Sequence, residues 1–85
     1  MMTYKLKGAQ VVSETTDKGM FIIRASQYLD EKNENIYRIS VTTKNEILEM
    51  KENVKSLDEC KKLFEGYQQT HFGKVKKELH ENLFS

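Results

Sequence analysis

The stretch that decides the fold is residues 20–29, which read MFIIRASQYL. Its side chains alternate between two sets, and a period of two is typical of a β-strand with one face in a core. The first set is apolar, whereas the second mixes apolar, polar and charged side chains. The first contains Phe21, Ile23, Ala25 and Leu29, and the second contains Ile22, Arg24, Ser26 and Tyr28. The stretch therefore predicts a strand with one buried face and one wet face.

Weaker strand patterns lie on both sides of this stretch. Tyr4 and Leu6 alternate with lysines until Gly8, and a glycine inside a strand indicates a bulge or a bend. Residues 13–19 are polar and predict a turn. Residues 36–43 predict a further strand. Its inward side chains are Tyr37, Ile39 and Val41. Together these segments predict an antiparallel meander.

Residues 44–55 fit two patterns. Leu48, Met50 and Val54 have the spacing of a short strand, whereas Ile47, Met50 and Val54 also have helical spacing. A helix start follows closely after this segment, which favours a short fourth strand over residues 46–50. The helical alternative stays open at this point.

A helix begins after Ser56. Ser56 with Glu59 three residues later forms a capping box, which satisfies backbone N–H groups in the first turn. Apolar side chains then recur at helical spacing. They are Leu57, Cys60, Phe64, Tyr67, His71, Val75, Leu79 and Leu83. We predict a helix over residues 57–84, with a break at Gly73 as the alternative. The chain is thus expected to be one α+β domain over residues 1–85, an antiparallel meander of three or four strands within residues 3–50 followed by this helix packed on one face.

The composition excludes several classes of protein. The 85 residues carry 14 basic and 13 acidic side chains, so the chain is not a polyelectrolyte. No apolar run approaches the roughly 20 residues of a membrane span, and Lys5 and Lys7 interrupt the region where a signal peptide is apolar. A single cysteine forms no internal disulfide, which favours a cytoplasmic location. The bias toward lysine, asparagine and isoleucine is typical of AT-rich bacterial or phage genomes.

We expect no catalytic activity. Cys60 lies on the predicted core face of the helix, where a free cysteine behaves as a small apolar side chain. His71 and His80 are nine residues apart and lie on different sides of a helix, so they do not share a metal. No phosphate loop, zinc signature or nucleophile elbow occurs. We therefore expect no catalytic residues, metal, cofactor or small-molecule substrate.

The first candidate function is protein binding by the C-terminal helix. A helix of about 28 residues is roughly 42 Å long, which exceeds the roughly 17–20 Å of an average strand. Its last turns are therefore expected to extend beyond the sheet with an apolar stripe in need of a partner. The alternative is that this stripe folds back on its own sheet after a break at Gly73. The predicted partner-binding residues are Val75, Leu79, Leu83 and Phe84. This pattern predicts self-association or a protein partner, as in a small regulatory protein, inhibitor or accessory factor of phage or mobile-element type.

The alternative function is binding of single-stranded nucleic acid. Basic side chains with an aromatic ring on an open sheet provide cations for the phosphates and a surface on which bases stack. The candidate residues on the wet face of the sheet are Lys5, Lys7, Arg24, Tyr28 and Arg38. The near-neutral net charge argues against this alternative, because nucleic-acid-binding modules are usually basic.

Overall fold

The computed structural model describes residues 5–76 and residue 83. The strands are β1 (Lys5–Thr16), β2 (Gly19–Leu29), β3 (Asn35–Thr42) and β4 (Ile47–Val54), and the helix is α1 (Leu57–Phe72). The strands pair antiparallel in the order β1-β2-β3-β4. The predicted α+β fold, a meander followed by a helix packed on one face, is confirmed. We call the face that contacts α1 the inner face and the opposite one the outer face.

The core lies between α1 and the inner face. Ile23, Ile39 and Val41 of the two central strands are completely buried, as are Cys60 and Phe64 of α1. This confirms the predicted core side of β2, β3 and the helix. Burial of such side chains is the main stabilising contribution in a domain of this size.

The helical stripe differs from the prediction at two positions. Leu57 is 41% exposed although its helical position matches that of Phe64, so the packed face begins one turn later, at Cys60. Gln68 is completely buried, which its polar side chain did not indicate. Its Oε1 accepts a hydrogen bond from the backbone N–H of Lys76 at 2.9 Å.

A bulge interrupts β1 near its start. Leu6 lies opposite Tyr28 and Gly8 lies opposite Gln27, so Lys7 is the extra residue. The irregularity that Gly8 predicted is therefore confirmed. The bulge changes which side chains of β1 share a face with β2, because one inserted residue reverses the alternation.

The ambiguous segment is a strand and extends to Val54. Met50 lies opposite Ser40, and Val54 lies opposite Tyr37, with register shifts in the β3–β4 pairing. Asn53, just before Val54, has a positive φ of 59°. The irregular pairing places Met50 on the outer face and Val54 in the core, although a regular strand would place both on one face.

Helix α1 begins and ends at the expected signals. The Ser56 Oγ accepts a hydrogen bond from the backbone N–H of Glu59 at 3.2 Å. Gly73 has a left-handed φ of 73°, and its N–H donates to the carbonyl of Gln69 at 3.0 Å. The helix thus ends at the alternative position, Gly73, and does not continue through residues 74–76.

Candidate functional site

The outer face is the open face of the sheet, because α1 packs on the other one. Directly opposed residues of antiparallel strands share a face, so the register defines its members. They are Leu6, Ala9, Val11, Ser13, Ile22, Arg24, Ser26, Tyr28, Ile36, Arg38, Ser40, Thr42, Ile47 and Met50. No other element within residues 5–76 packs against this face.

Exposed apolar side chains occur across the outer face. Val11 and Met50, at opposite ends of one row across the sheet, are 44% and 42% exposed. Leu6 and Ile47, near opposite ends of the strands, are also exposed. A single exposed apolar side chain is ordinary, but several on one open face indicate an interaction surface.

Arg38 lies between an aromatic ring and a carboxylate. Its Cζ is 5.5 Å from the centroid of the Tyr28 ring, and its Nε is 3.3 Å from Oε1 of Glu52. The guanidinium therefore occupies the ring face, an arrangement that the ring quadrupole favours. Glu52 balances the charge of Arg38. One face of the Tyr28 ring is thus occupied, and Arg38 is not a free cation.

Arg24 is the exposed cation in the interior of the outer face. It lies between Val11 and Ser40 in a cross-sheet row, and it forms no ion pair with the described residues. A guanidinium in such a position can hydrogen-bond a carboxylate or a hydroxyl of a docked molecule.

The five candidate residues for nucleic-acid binding do not form one surface. Arg24, Tyr28 and Arg38 lie together on the outer face, as expected. Lys5 lies opposite Leu29, on the side of the inner face, and Lys7 is the bulged residue. The regular alternation of β1 predicts both lysines beside Arg24, and this prediction is wrong for Lys5. The difference arises because the bulge places Leu6 opposite Tyr28.

The structure describes two of the four residues of the C-terminal stripe. Leu83 is only 7% exposed and belongs to the core cluster of its own chain, and Val75 is half-buried. Leu79 and Phe84 lie outside the described residues. Leu83 is therefore not an accessible partner-binding residue. The expectation that it projects beyond the sheet required a continuous helix, and α1 ends before Gly73.

The segment after Gly73 is attached to β1. The Nζ atoms of Lys74 and Lys76 are 3.1 and 3.0 Å from the carboxylate oxygens of Glu14. These hydrogen bonds, from Lys76 first and then Lys74, hold the pKa of Glu14 below its ordinary value. The Nζ of Lys76 also donates to the carbonyl of Ser13 at 3.0 Å. The chain thus returns to its own sheet after the helix.

A groove of about 810 Å³ opens at the end of the sheet where the β1–β2 and β3–β4 turns lie. Phe21 and Met20 line it beside His71, whose Nε2 is paired with Oε2 of Glu49 on β4. The groove residues include no serine or cysteine, and the Thr16 and Thr43 hydroxyls are occupied in turn hydrogen bonds. The pair of His71 and Glu49 joins the end of α1 to β4, and Thr70 also lines the groove beside His71.

The structure places Cys60, which was expected to be unreactive, in the core. Cys60 is completely buried, and this burial raises the pKa of its thiol to about 11. Among the described residues, no group of three histidine, cysteine or acidic side chains could hold a metal ion. In the part of the chain that the structure describes, no helix is long and apolar enough to cross a membrane.

Comparison of this chain with protein-family models, curated proteins and solved structures gives no match. Its candidate function is therefore argued from the outer face itself.

Proposed function

We propose that this protein is a non-catalytic binding module that docks onto another protein surface through its outer face. The observation that carries this proposal is the exposure of Val11 and Met50 in one row across a sheet face that no described element covers. Docking would remove these side chains from water, at a gain of about 25 cal/mol per Å² of apolar area before the costs of association.

The charges of the outer face favour a protein over nucleic acid. Binding a polyanion requires several free cations that replace its counterions. Arg38 is paired with Glu52, and Lys5 lies on the other side of the sheet, which leaves Arg24 in the interior of this face and Lys7 at the bulge near its edge without a described ion pair. One face of the Tyr28 ring is also occupied by Arg38. A face with apolar side chains, hydroxyls and one interior arginine resembles the composition of protein interfaces.

The outer face takes the place of the C-terminal stripe as the proposed docking surface, because Leu83 belongs to the core. A buried, free Cys60 fits the reducing environment of the cytoplasm. The small size of the chain fits a regulatory protein, inhibitor or accessory factor.

The proposal is tested with a photo-crosslinking amino acid at Val11, in cells that contain the natural partners. The same amino acid at Leu57 is the matched control, because Leu57 is apolar and similarly exposed but lies on α1. We expect a discrete crosslinked protein adduct from position 11 and none from position 57.

Adding Met50→Asp should remove the adduct, because a charge in an apolar contact is costly unless it is paired. Equal adducts from both positions, or an adduct that Met50→Asp leaves unchanged, would contradict docking through the outer face. Adducts to nucleic acid instead of protein would favour the alternative function.

A further inference from the structure

We infer that the occupant of the outer face is a second copy of this chain, so that two sheets stack face to face around a two-fold axis parallel to the strands. This inference rests on the proposed function, since it names the partner of the same surface. It follows from the order of side chains across the sheet, from the distribution of charge and from the size of the face.

The symmetry determines which residues meet. A two-fold axis that lies between two stacked sheets, parallel to their strands, preserves the position along each strand and reverses the order of strands. Each row across the sheet then faces the same row of the other copy in reverse. With the axis between β2 and β3, the row Val11, Arg24, Ser40 and Met50 pairs Val11 with Met50 of the second copy and Arg24 with Ser40. Apolar therefore meets apolar, and the arginine meets a hydroxyl that can accept its hydrogen bond.

The neighbouring rows also avoid opposed like charges. The row that contains Arg38 places it opposite Ser26 of the second copy, and the row of Tyr28 places it opposite Ile36. Ser26 and Ile36 are only 4% and 8% exposed, so these rows add little contact but oppose no like charges. By contrast, an axis perpendicular to the strands stacks each strand on itself. Through the central row it would oppose Arg24 to Arg24, and like charges in an interface cost several kcal/mol. The arrangement of charge thus selects the parallel axis.

The area of the face corresponds to a dimer interface at the lower end of the usual size range. Four strands spaced about 4.8 Å apart, with eight residues rising about 3.3 Å each, cover roughly 500 Å² in projection. Because the side chains make the surface uneven, the accessible area is larger. Two such faces approach the roughly 1,200 Å² at the lower end of stable interfaces. Twisted sheets that stack in an aligned manner cross at about 30°, so the central pairs coincide best and the edge pairs shift by about one residue.

The first test is the molar mass of the full-length chain in solution, measured by sedimentation from about 1 µM to 1 mM, a range that spans weak to moderate affinities. We expect a concentration-dependent dimer. Val11→Asp and Met50→Asp should each weaken it at least tenfold while the circular dichroism spectrum stays native. Leu57→Asp, an equally exposed apolar position on α1, should leave it unchanged.

The second test determines the orientation of the two copies. Stacked sheets lie about 10 Å apart, which exceeds the reach of a disulfide, so a short bismaleimide is the suitable crosslinker. A mixture of Val11→Cys and Met50→Cys chains should crosslink strongly, whereas Val11→Cys alone should not, because β1 faces β4 of the second copy. Buried Cys60 stays unmodified in the folded chain.

Two results would overturn the inference. One is a monomer over the whole concentration range; if position 11 still forms an adduct with another protein in cells, the proposed function stands and only the second copy is rejected. The other is efficient crosslinking of Val11→Cys to itself, which rejects the parallel axis. If position 11 forms no adduct and the chain is monomeric, both the inference and the proposed function fail.

Discussion

The guanidinium of Arg38 lies over the ring of Tyr28, with its Cζ 5.5 Å from the ring centroid. In a nucleic-acid-binding sheet, Arg38 would pair with a phosphate and Tyr28 would stack on a base. Here the two side chains contact each other instead. Glu52 completes the group by pairing with Arg38 at 3.3 Å. The most basic part of the outer face is therefore internally compensated.

A double substitution of Arg24 and Arg38 by alanine tests this interpretation. We expect the free energy of unfolding to change by no more than about 1 kcal/mol, because exposed ion pairs and cation–π contacts contribute little. We also expect the unsubstituted protein to show no salt-dependent binding to single-stranded oligonucleotides in a fluorescence anisotropy titration. Binding that weakens steeply with salt and is lost in the double variant would instead support the nucleic-acid alternative.

The two glycines of the C-terminal half should respond to alanine in opposite directions. Gly66 lies inside α1, and an added Cβ there meets no atom within 4 Å, so Gly66→Ala should raise the free energy of unfolding by about 0.5–1 kcal/mol. Gly73 has a φ of 73°, and Gly73→Ala should lower it by about 1–2 kcal/mol through left-handed strain. Urea denaturation measures both. Stabilisation by Gly73→Ala would mean that the helix does not end there.

Leu83→Ala should destabilise the fold. Leu83 is 7% exposed within the core cluster, and truncation of a buried leucine costs about 2–5 kcal/mol through lost contacts and a cavity. Val11→Ala is the matched control on the outer face and should change the free energy of unfolding of the monomer by about 0.5 kcal/mol or less. Equal effects of the two substitutions in thermal or urea unfolding would contradict the assignment of Leu83 to the core.

Cys60 should be unreactive in the folded protein and should make stability fall in alkaline solution. Its folded pKa of about 11 lies above the ordinary thiol value of 9.0, so the unfolded chain loses the thiol proton first. This contribution is fully present below pH 9 and is lost as the pH rises toward 11.

The thiol test uses a disulfide reagent near pH 8. We expect slow labelling of the native chain and fast labelling in denaturant. Cys60→Ala should lower the free energy of unfolding by about 1 kcal/mol, in the range of small core truncations, and should reduce the alkaline loss of stability between pH 9 and 11. Rapid labelling of the native chain would place Cys60 on an exposed side of α1.

The sequence by itself determined the order of elements and much of the core. The alternation in residues 20–29 identified β2 and its buried side, because a strand places successive side chains on opposite faces. Ser56 marked the start of α1 through a local hydrogen bond. Gly73 offered its end only as the alternative to a helix through residue 84, and the structure decided for that alternative. These signals act within a few residues and so can be recognised in the chain without knowledge of its tertiary contacts.

Only the tertiary structure decided which surface is open. The bulge at Lys7 moved Lys5 away from Arg24, and the irregular pairing of β4 moved Met50 to the outer face, because a shift of one residue in register reverses every side chain beyond it. The position of Leu83 depended on contacts with residues far away in the chain, which helical spacing does not encode. The contacts of Arg38 with Tyr28 and Glu52 likewise depend on the pairing of three neighbouring strands. The sequence predicted a basic outer face, whereas in the fold the charge of Arg38 is balanced and several apolar side chains are exposed on this face.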